Sequence, residues 1–376
     1  MRWPGFIGPS YVHRSVNVDA ERTINLYPEI VDGGAMGKNR VVLRGTPGLQ
    51  RFAQLPNGPV RCLWAMDGRC FAAGPSQFYE VFAGGTVTSR GTIQTDGRPV
   101  TVSSSGTQGY QLLVTSGGQG YIFDLKKNTL TRISDRDFPR PVVSALFLDS
   151  FFVALKGQSR QFYFSEQLDG SKWNGADVAE TQVSADNLRA MASSHRELWL
   201  FGSYVTHVWV LSGDLSSQNV FVPISGVFIE HGCLAPYSIV NLDNTLYWLG
   251  QDKDGSGQVW RANGYTPERV STHAVEYHLK KQGNLEDCVG WSYSEEGHSF
   301  LCLYVPGGET TFCYDAATGL WHERGIWDEQ LMDWTPHAGR CHCSAFGKHL
   351  VGDRQTGMIY EMSLSLLADD TTIVSP

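Results

Sequence analysis

The residue types in this chain best able to do chemistry are the cysteines and histidines towards its C-terminal end. His337, Cys341, His342, Cys343 and His349 form the densest group of metal-ligating side chains. A Cys-x-Cys on a strand puts both sulfurs on one face, because side chains alternate, but a tetrahedral zinc site needs two further ligands and no CxxC pair exists to offer them. We therefore expect no metal. The remaining cysteines stand at 62, 70, 233, 288, 302 and 313. Cys62 and Cys70 flank a hairpin turn, so pairing across it is conceivable, yet a chain made in a reducing cytoplasm is expected to keep them as small buried strand residues.

Other chemical patterns are weaker. Asp252-Lys253-Asp254-Gly255-Ser256-Gly257 imitates the start of a calcium loop, but its third acidic position is Ser256 and its twelfth is Asn263, which lacks the bidentate carboxylate. It reads as a tight hairpin loop. Ser165 to Trp173, SEQLDGSKW, approximates the Asp-box turn of sialidase-type propellers with the wrong spacing, since Asp169 and Gly170 are adjacent. There is no G-x-S-x-G elbow, Walker loop or H-E-x-x-H, and Gly117-Gly118-Gln119-Gly120 lies between strands. Glu295-Glu296 and Asp369-Asp370 look like solvated turns, although glycoside hydrolysis by carboxylates about 5 to 10 Å apart is a matter of distances a sequence does not show. Trp199, Trp209, Trp248 and Trp260 sit inside strand patterns, as packing residues would. No enzyme and no cofactor are expected.

The elements that carry these residues are short strands. Tyr237 to Ser271 parses into Tyr237 to Leu242, the turn Asp243-Asn244, Thr245 to Gln251, a loop from Asp252 to Gly257, Gln258 to Ala262, and a run from Gly264. Each run is rich in β-branched and aromatic residues and too short for a helix, so this is a four-stranded antiparallel meander. The same order of features begins near Val60, Val100, Val142, Leu188, Val289 and Cys341, at spacings that drift from 40 to 52 residues. Such a period is that of β-propeller blades. A single meander leaves both faces open, whereas blades stacked about an axis cover one another. The expected fold is all-β, a β-propeller of six or seven four-stranded blades with seven favoured. Ser271 to Asp287 and Ile326 to Arg340 read as insertions. In the first, Ala274, Tyr277 and Leu279 or His278 share a face at helical spacing, giving a crossover helix or a loop.

Composition fits a large-cored chain that does not read nucleic-acid sequence. It has 376 residues, 41% hydrophobic content and a formal charge of −8, against the basic patch that releases counterions from DNA. No 18-residue apolar stretch exists, so no membrane insertion is expected. The start, MRWPGFIGPSYVHRS, lacks the layout of a secretory signal, which points to synthesis in the cytoplasm. We divide the chain into residues 1–58, an extended N-terminal arm for attachment or inter-subunit contact, and residues 59–376, the propeller. Within the arm, turns are expected at Tyr27-Pro28 and Thr46-Pro47-Gly48, and Arg40 to Leu43 is a strand that could close the ring by joining the last blade.

The run Arg22-Thr23-Ile24-Asn25-Leu26-Tyr27-Pro28-Glu29, followed by Leu43-Arg44-Gly45-Thr46-Pro47-Gly48-Leu49, resembles the N-terminal signature of the packaged-DNA stabilisation proteins of short-tailed bacteriophages, also called tail accessory factors or tail nozzle proteins. A second stretch is similar to the same family: Ile229-Glu230-His231-Gly232-Cys233, Tyr247-Trp248-Leu249-Gly250, Gly257-Gln258-Val259-Trp260 and Glu268-Arg269-Val270-Ser271. The resemblance implies a virion tail protein: a propeller-containing subunit of a nozzle or hub ring, commonly a homohexamer. That ring is attached below the portal and adaptor, extends the DNA channel and retains packaged DNA. The chain is shorter than larger members, so a separate nozzle-tip or fibre-binding domain is expected to be reduced or missing. Tail fibres or tailspikes would be further partners, and genomic DNA would pass without sequence-specific contact. Six copies at −8 each would carry −48, a sign that repels phosphate and lets DNA slide. Arg22, Asn25, Tyr27, Pro28, Glu29, Gly45, Thr46, Pro47 and Gly48 are the expected interface, or else fold the arm onto its own propeller. The alternatives are a carbohydrate-binding or glycan-cleaving propeller for receptor recognition, and an adhesive interaction module.

Overall fold

Six of seven blades open with the same device. The two-residue turn between their first and second strands holds both residues at positive φ: Asp67-Gly68, Asp149-Ser150, His195-Arg196, Asp243-Asn244, Glu296-Gly297 and Phe346-Gly347. Such turns match the right-handed twist of the strands they join. In the second blade a single helical turn, Gly106–Gly109, takes that place. The computed structural model describes residues 9–12, 20–31, 40–181, 186–214, 219–251, 255 and 257–369. Asp252 to Asp254, Ser256 and Asp370 fall outside the described residues, so the calcium-like loop and one carboxylate pair are not placed.

The chain is a seven-bladed β-propeller of four-stranded antiparallel sheets. Five blades are formed by consecutive strands, from Cys62–Met66 in the first to Glu268–Arg269 in the fifth. The sixth runs from Val289–Glu295 and gains a fifth strand, Asp333–Pro336, from the second insertion. The seventh holds Gly339–Ala345, Lys348–Asp353 and Met358–Ser363, and its fourth strand comes from the other end of the chain: Gly48–Gln54 pairs antiparallel with Met358–Ser363. The ring is thus closed by Gly48–Gln54. Arg40–Gly45 instead pairs with Leu26–Val31 in a separate hairpin. That hairpin also overturns the expected Tyr27-Pro28 turn, because both residues lie within its first strand and Pro28 faces Leu43.

The core lies between blades, where stacking buries what one meander cannot. Phe71 and Phe78 of the first blade meet Phe123 of the second, with ring centroids 5.3 and 5.8 Å apart. Phe201 of the fourth packs on Trp248 of the fifth. Leu63 and Cys70 of the first join Cys343 and Leu350 of the seventh. Trp199, Trp209, Trp248 and Trp260 are all buried, in packing roles. The first insertion is a helix, His273–Lys281, capped by the Thr272 hydroxyl, which accepts from the Val275 amide. It buries Ala274, Val275, Glu276 and Leu279, while Tyr277 and His278 stay half-buried. No helix among the described residues is long and apolar enough to cross a membrane. The seven first strands surround a central tunnel with a cavity of about 440 Å³.

The metal-like cluster is split by strand alternation. Cys341 and Cys343 turn to the first blade, where Cys343 Sγ lies 3.8 Å from Cys70 Sγ. His342 points the other way, to His349 at 3.0 Å. His337 accepts from the Gly339 amide. Among the described residues, no three His, Cys, Asp or Glu side chains stand together as a metal requires. Cys62 and Cys70 do not face each other: Cys62 opposes Ala73 and Cys70 opposes Ala65.

Candidate attachment site

The arm is fixed to the sixth blade before it projects. The strand Leu320–Asp328 carries Glu323, which is buried and carries no sequence motif. Its carboxylate accepts from the Ser10 hydroxyl at 2.8 Å, the Thr310 hydroxyl at 2.9 Å, and both Nε and Nη2 of Arg22 at 3.0 Å. Its backbone is tied as well, donating to the Thr23 carbonyl and accepting from the Asn25 amide. Residues 23 to 25 therefore run along the blade edge like a short extra strand. Asn25 ends that run at φ 55, a left-handed conformation that asparagine tolerates better than most side chains.

Beyond Asn25 the hairpin begins. Tyr27 is buried, with its ring edge-on to His298 at 5.1 Å and Phe300 at 5.2 Å. Burial pushes its phenol pKa up, so the ring serves as a neutral anchor. Arg44 on the returning strand pairs with Glu29 at 3.1 Å and Glu296 at 3.2 Å, exposed contacts that orient more than they stabilise. Thr46 then returns to the root, donating from both its amide and its hydroxyl to the Asn25 carbonyl.

Pro47 and Gly48 lead into the closing strand. Gly48 is required by space: a Cβ there would stand 2.6 Å from the Leu366 carbonyl oxygen and 2.7 Å from that of Ala368. The Leu49 amide donates to Asp369, whose carboxyl pKa is raised by burial. Between the arm and the Leu364 to Asp369 segment lies a groove of about 740 Å³, with Asn25, Tyr27, Gly45, Thr46, Pro47 and Gly48 on its wall.

Six of the nine residues singled out from the sequence thus converge on one groove. Arg22 is directed away to Glu323, Pro28 is buried in the hairpin, and Glu29 is held by Arg44. The contacts observed for these residues are with their own propeller. The outer half of the hairpin differs: Ile30, Val31, Val41 and Val42 are all exposed, at 37 to 45%. Beside it, the hairpin of the second insertion exposes Trp327, Leu331 and Met332. Sequence reasoning missed this surface. Its signal was the apolar run Ile30-Val31 and Val41-Val42 in a segment too thin to bury it.

A family model described as "Bacteriophage P22 Gp10, beta-propeller" matches residues 15–366. The chain belongs to this family of phage DNA-stabilisation proteins. Its members are structural components of the phage virion, which assemble with other virion proteins. No curated protein sequence matches the chain. Among solved structures, the extracellular domain of the one-component system BT4673 from B. thetaiotaomicron superposes with a TM-score of 0.55 at 8% identity, over 84% of this chain and 40% of that one. The chain thus spans about two fifths of that protein's length. Virginiamycin B lyase from Staphylococcus aureus gives a TM-score of 0.54 at 11% identity, covering 84% and 99%, and a streptogramin B lyase gives 0.55 at 9%, covering 85% and 98%. At such identities these likenesses show the propeller fold alone.

Proposed function

We propose that the chain is a subunit of an oligomeric ring in a short phage tail, a nozzle or hub that sits below the portal and adaptor, prolongs the DNA channel and holds the packaged genome. One observation carries this reading beyond family membership. The arm hairpin is locked at its root, through Glu323, Asn25 and Tyr27, while its outer half leaves Ile30, Val31, Val41 and Val42 uncovered. An anchored strand pair with apolar side chains in water is a liability in a monomer and a contact surface in an assembly. We assign it to packing against a neighbouring copy, in a homohexamer, or against the connector above. The nine signature residues set its angle. Tail fibres or tailspikes are further partners.

The reading is non-catalytic. The central tunnel of one propeller, about 440 Å³ and lined by Trp64, Met191, Tyr237 and Trp291, is far too small for a duplex, so DNA would pass between copies. The formal charge of −8 per chain supports sliding without sequence-specific contact. Imaging of the purified protein with tail components tests the proposal directly: a ring of fixed copy number is expected, and loss of the gene should yield filled heads that leak DNA. A soluble monomer that cleaves polysaccharide would end it.

A further inference from the structure

Register decides which backbone groups of the arm hairpin lie open. At its root the Thr46 amide donates to the Asn25 carbonyl, directly across the two strands. Hydrogen-bonded and non-hydrogen-bonded positions alternate along an antiparallel pair, so Tyr27, Glu29 and Val31 bond Arg44, Val42 and Arg40. Leu26, Pro28 and Ile30 then turn their backbone polar groups outward on one edge, and Val41, Leu43 and Gly45 do so on the other. Pro28 has no N–H, which blunts the first edge. The second edge is bare: the backbone N–H and C=O groups of Val41, Leu43 and Gly45 have no partner among the described residues.

That bare edge is one wall of the groove of about 740 Å³. Leu43 and Gly45 line it, and Leu364, Leu366, Leu367 and Ala368 line it too, with Leu367 98% exposed. Unpaired strand groups beside apolar side chains make a cleft shaped for an extended segment. A two-stranded hairpin is marginal by itself in water, and a third strand removes that weakness.

The chain brings a strand-forming sequence to this place. Asp369 stands on the groove wall, where its carboxylate accepts from the Leu49 amide at 3.0 Å. The residues that follow it in the sequence, 370–376, include Thr371-Thr372-Ile373-Val374. Nowhere else does the sequence set four β-branched residues in succession, the type that strands favour. Seven extended residues reach about 23 Å, whereas residues 41–45 span about 13 Å. Tethered at the groove, the segment meets the open edge at a high effective concentration.

We infer that the groove is a strand-acceptor site whose occupant is residues 371–374 of the same chain, which add to residues 41–45 as the third strand of the arm sheet. The added strand covers the edge through which free copies would otherwise pair with one another. The inference concerns a single subunit and is independent of ring formation.

Hydrogen exchange at single-residue resolution tests it, on the full chain and on a chain ended at Asp369. The amides of Val41, Leu43 and Gly45 are expected to exchange at least about tenfold more slowly in the full chain. Val42 and Arg44 bond within the hairpin in both proteins, and their protection reports that the hairpin persists. Should the shortened chain lose it, Thr372→Pro/Ile373→Pro in the full chain gives the same comparison, because proline withholds the N–H that a ladder needs. Equal exchange of Val41, Leu43 and Gly45 with and without the segment overturns the inference. Protection that disappears on dilution of the full chain puts the segment of a second copy in the groove, and overturns pairing within one chain. Neither result bears on the ring, which imaging tests separately.

Discussion

Asn25 and Gly325 clasp each other in both directions. The Asn25 side-chain amide donates to the Gly325 carbonyl at 2.8 Å, and its carbonyl oxygen accepts from the Gly325 amide at 3.0 Å. One side chain thereby satisfies two backbone groups of the sixth blade, at the point where the arm leaves it. Replacement by alanine removes both bonds and sets a less tolerant residue at positive φ, an expected loss of about 2 to 3 kcal/mol in arm docking. Limited proteolysis should cut Asn25→Ala between residues 20 and 46 far faster than the unaltered chain, with little change in the far blades.

Glu323 tests the same anchor from the other side. Glu323→Ala leaves the buried Ser10 and Thr310 hydroxyls and the partly exposed Arg22 without their acceptor, an expected cost of about 1 to 3 kcal/mol, since solvent screens the Arg22 side of the pair. Hydrogen exchange should rise at residues 22 to 25. Protection that stays unchanged would show that Tyr27 alone holds the arm.

Closure of the ring separates two truncations. Removal of residues 1 to 46 leaves Gly48–Gln54 in place and should give a folded propeller; removal of residues 1 to 58 deletes that strand and should give an open, aggregating chain. Gly48→Ala is a point version of the second, because its Cβ collides with two carbonyls. Circular dichroism melts and size-exclusion profiles separate the three proteins.

Acid should weaken the fold through buried histidines. Burial holds His337 and His342 down to about 3, from an ordinary value of 6.5. Between those values the unfolded chain takes up protons that the folded chain refuses, so stability is full above pH 6.5 and falls as pH drops towards 3. The slope is about 1.4 kcal/mol per pH unit for each histidine. Melting temperatures measured from pH 7 to pH 4 should fall steeply, and less steeply in His342→Gln.

The blades were legible because each is local. Turns such as Asp67-Gly68 and Asp243-Asn244 name themselves by residue type, and the strands between them alternate. What was not legible joins residues about 300 positions apart. The seventh unit showed three strands in the sequence, and nothing near it announced Gly48–Gln54 as the missing fourth. Arg40 to Leu43 was the more apolar candidate for that edge, yet its register partner proved to be Leu26–Val31. The groove was half legible: asparagine, proline and glycine mark backbone constraint wherever they fall, while Glu323, a lone carboxylate inside a strand, has no local signature.

The strand that completes the seventh blade is synthesised ahead of all the others in the ring, and its partner about 300 residues later. A growing polypeptide therefore cannot seal its circle until all seven blades have emerged. Products of translation interrupted before Met358–Ser363 would remain open arcs with an unpaired flank.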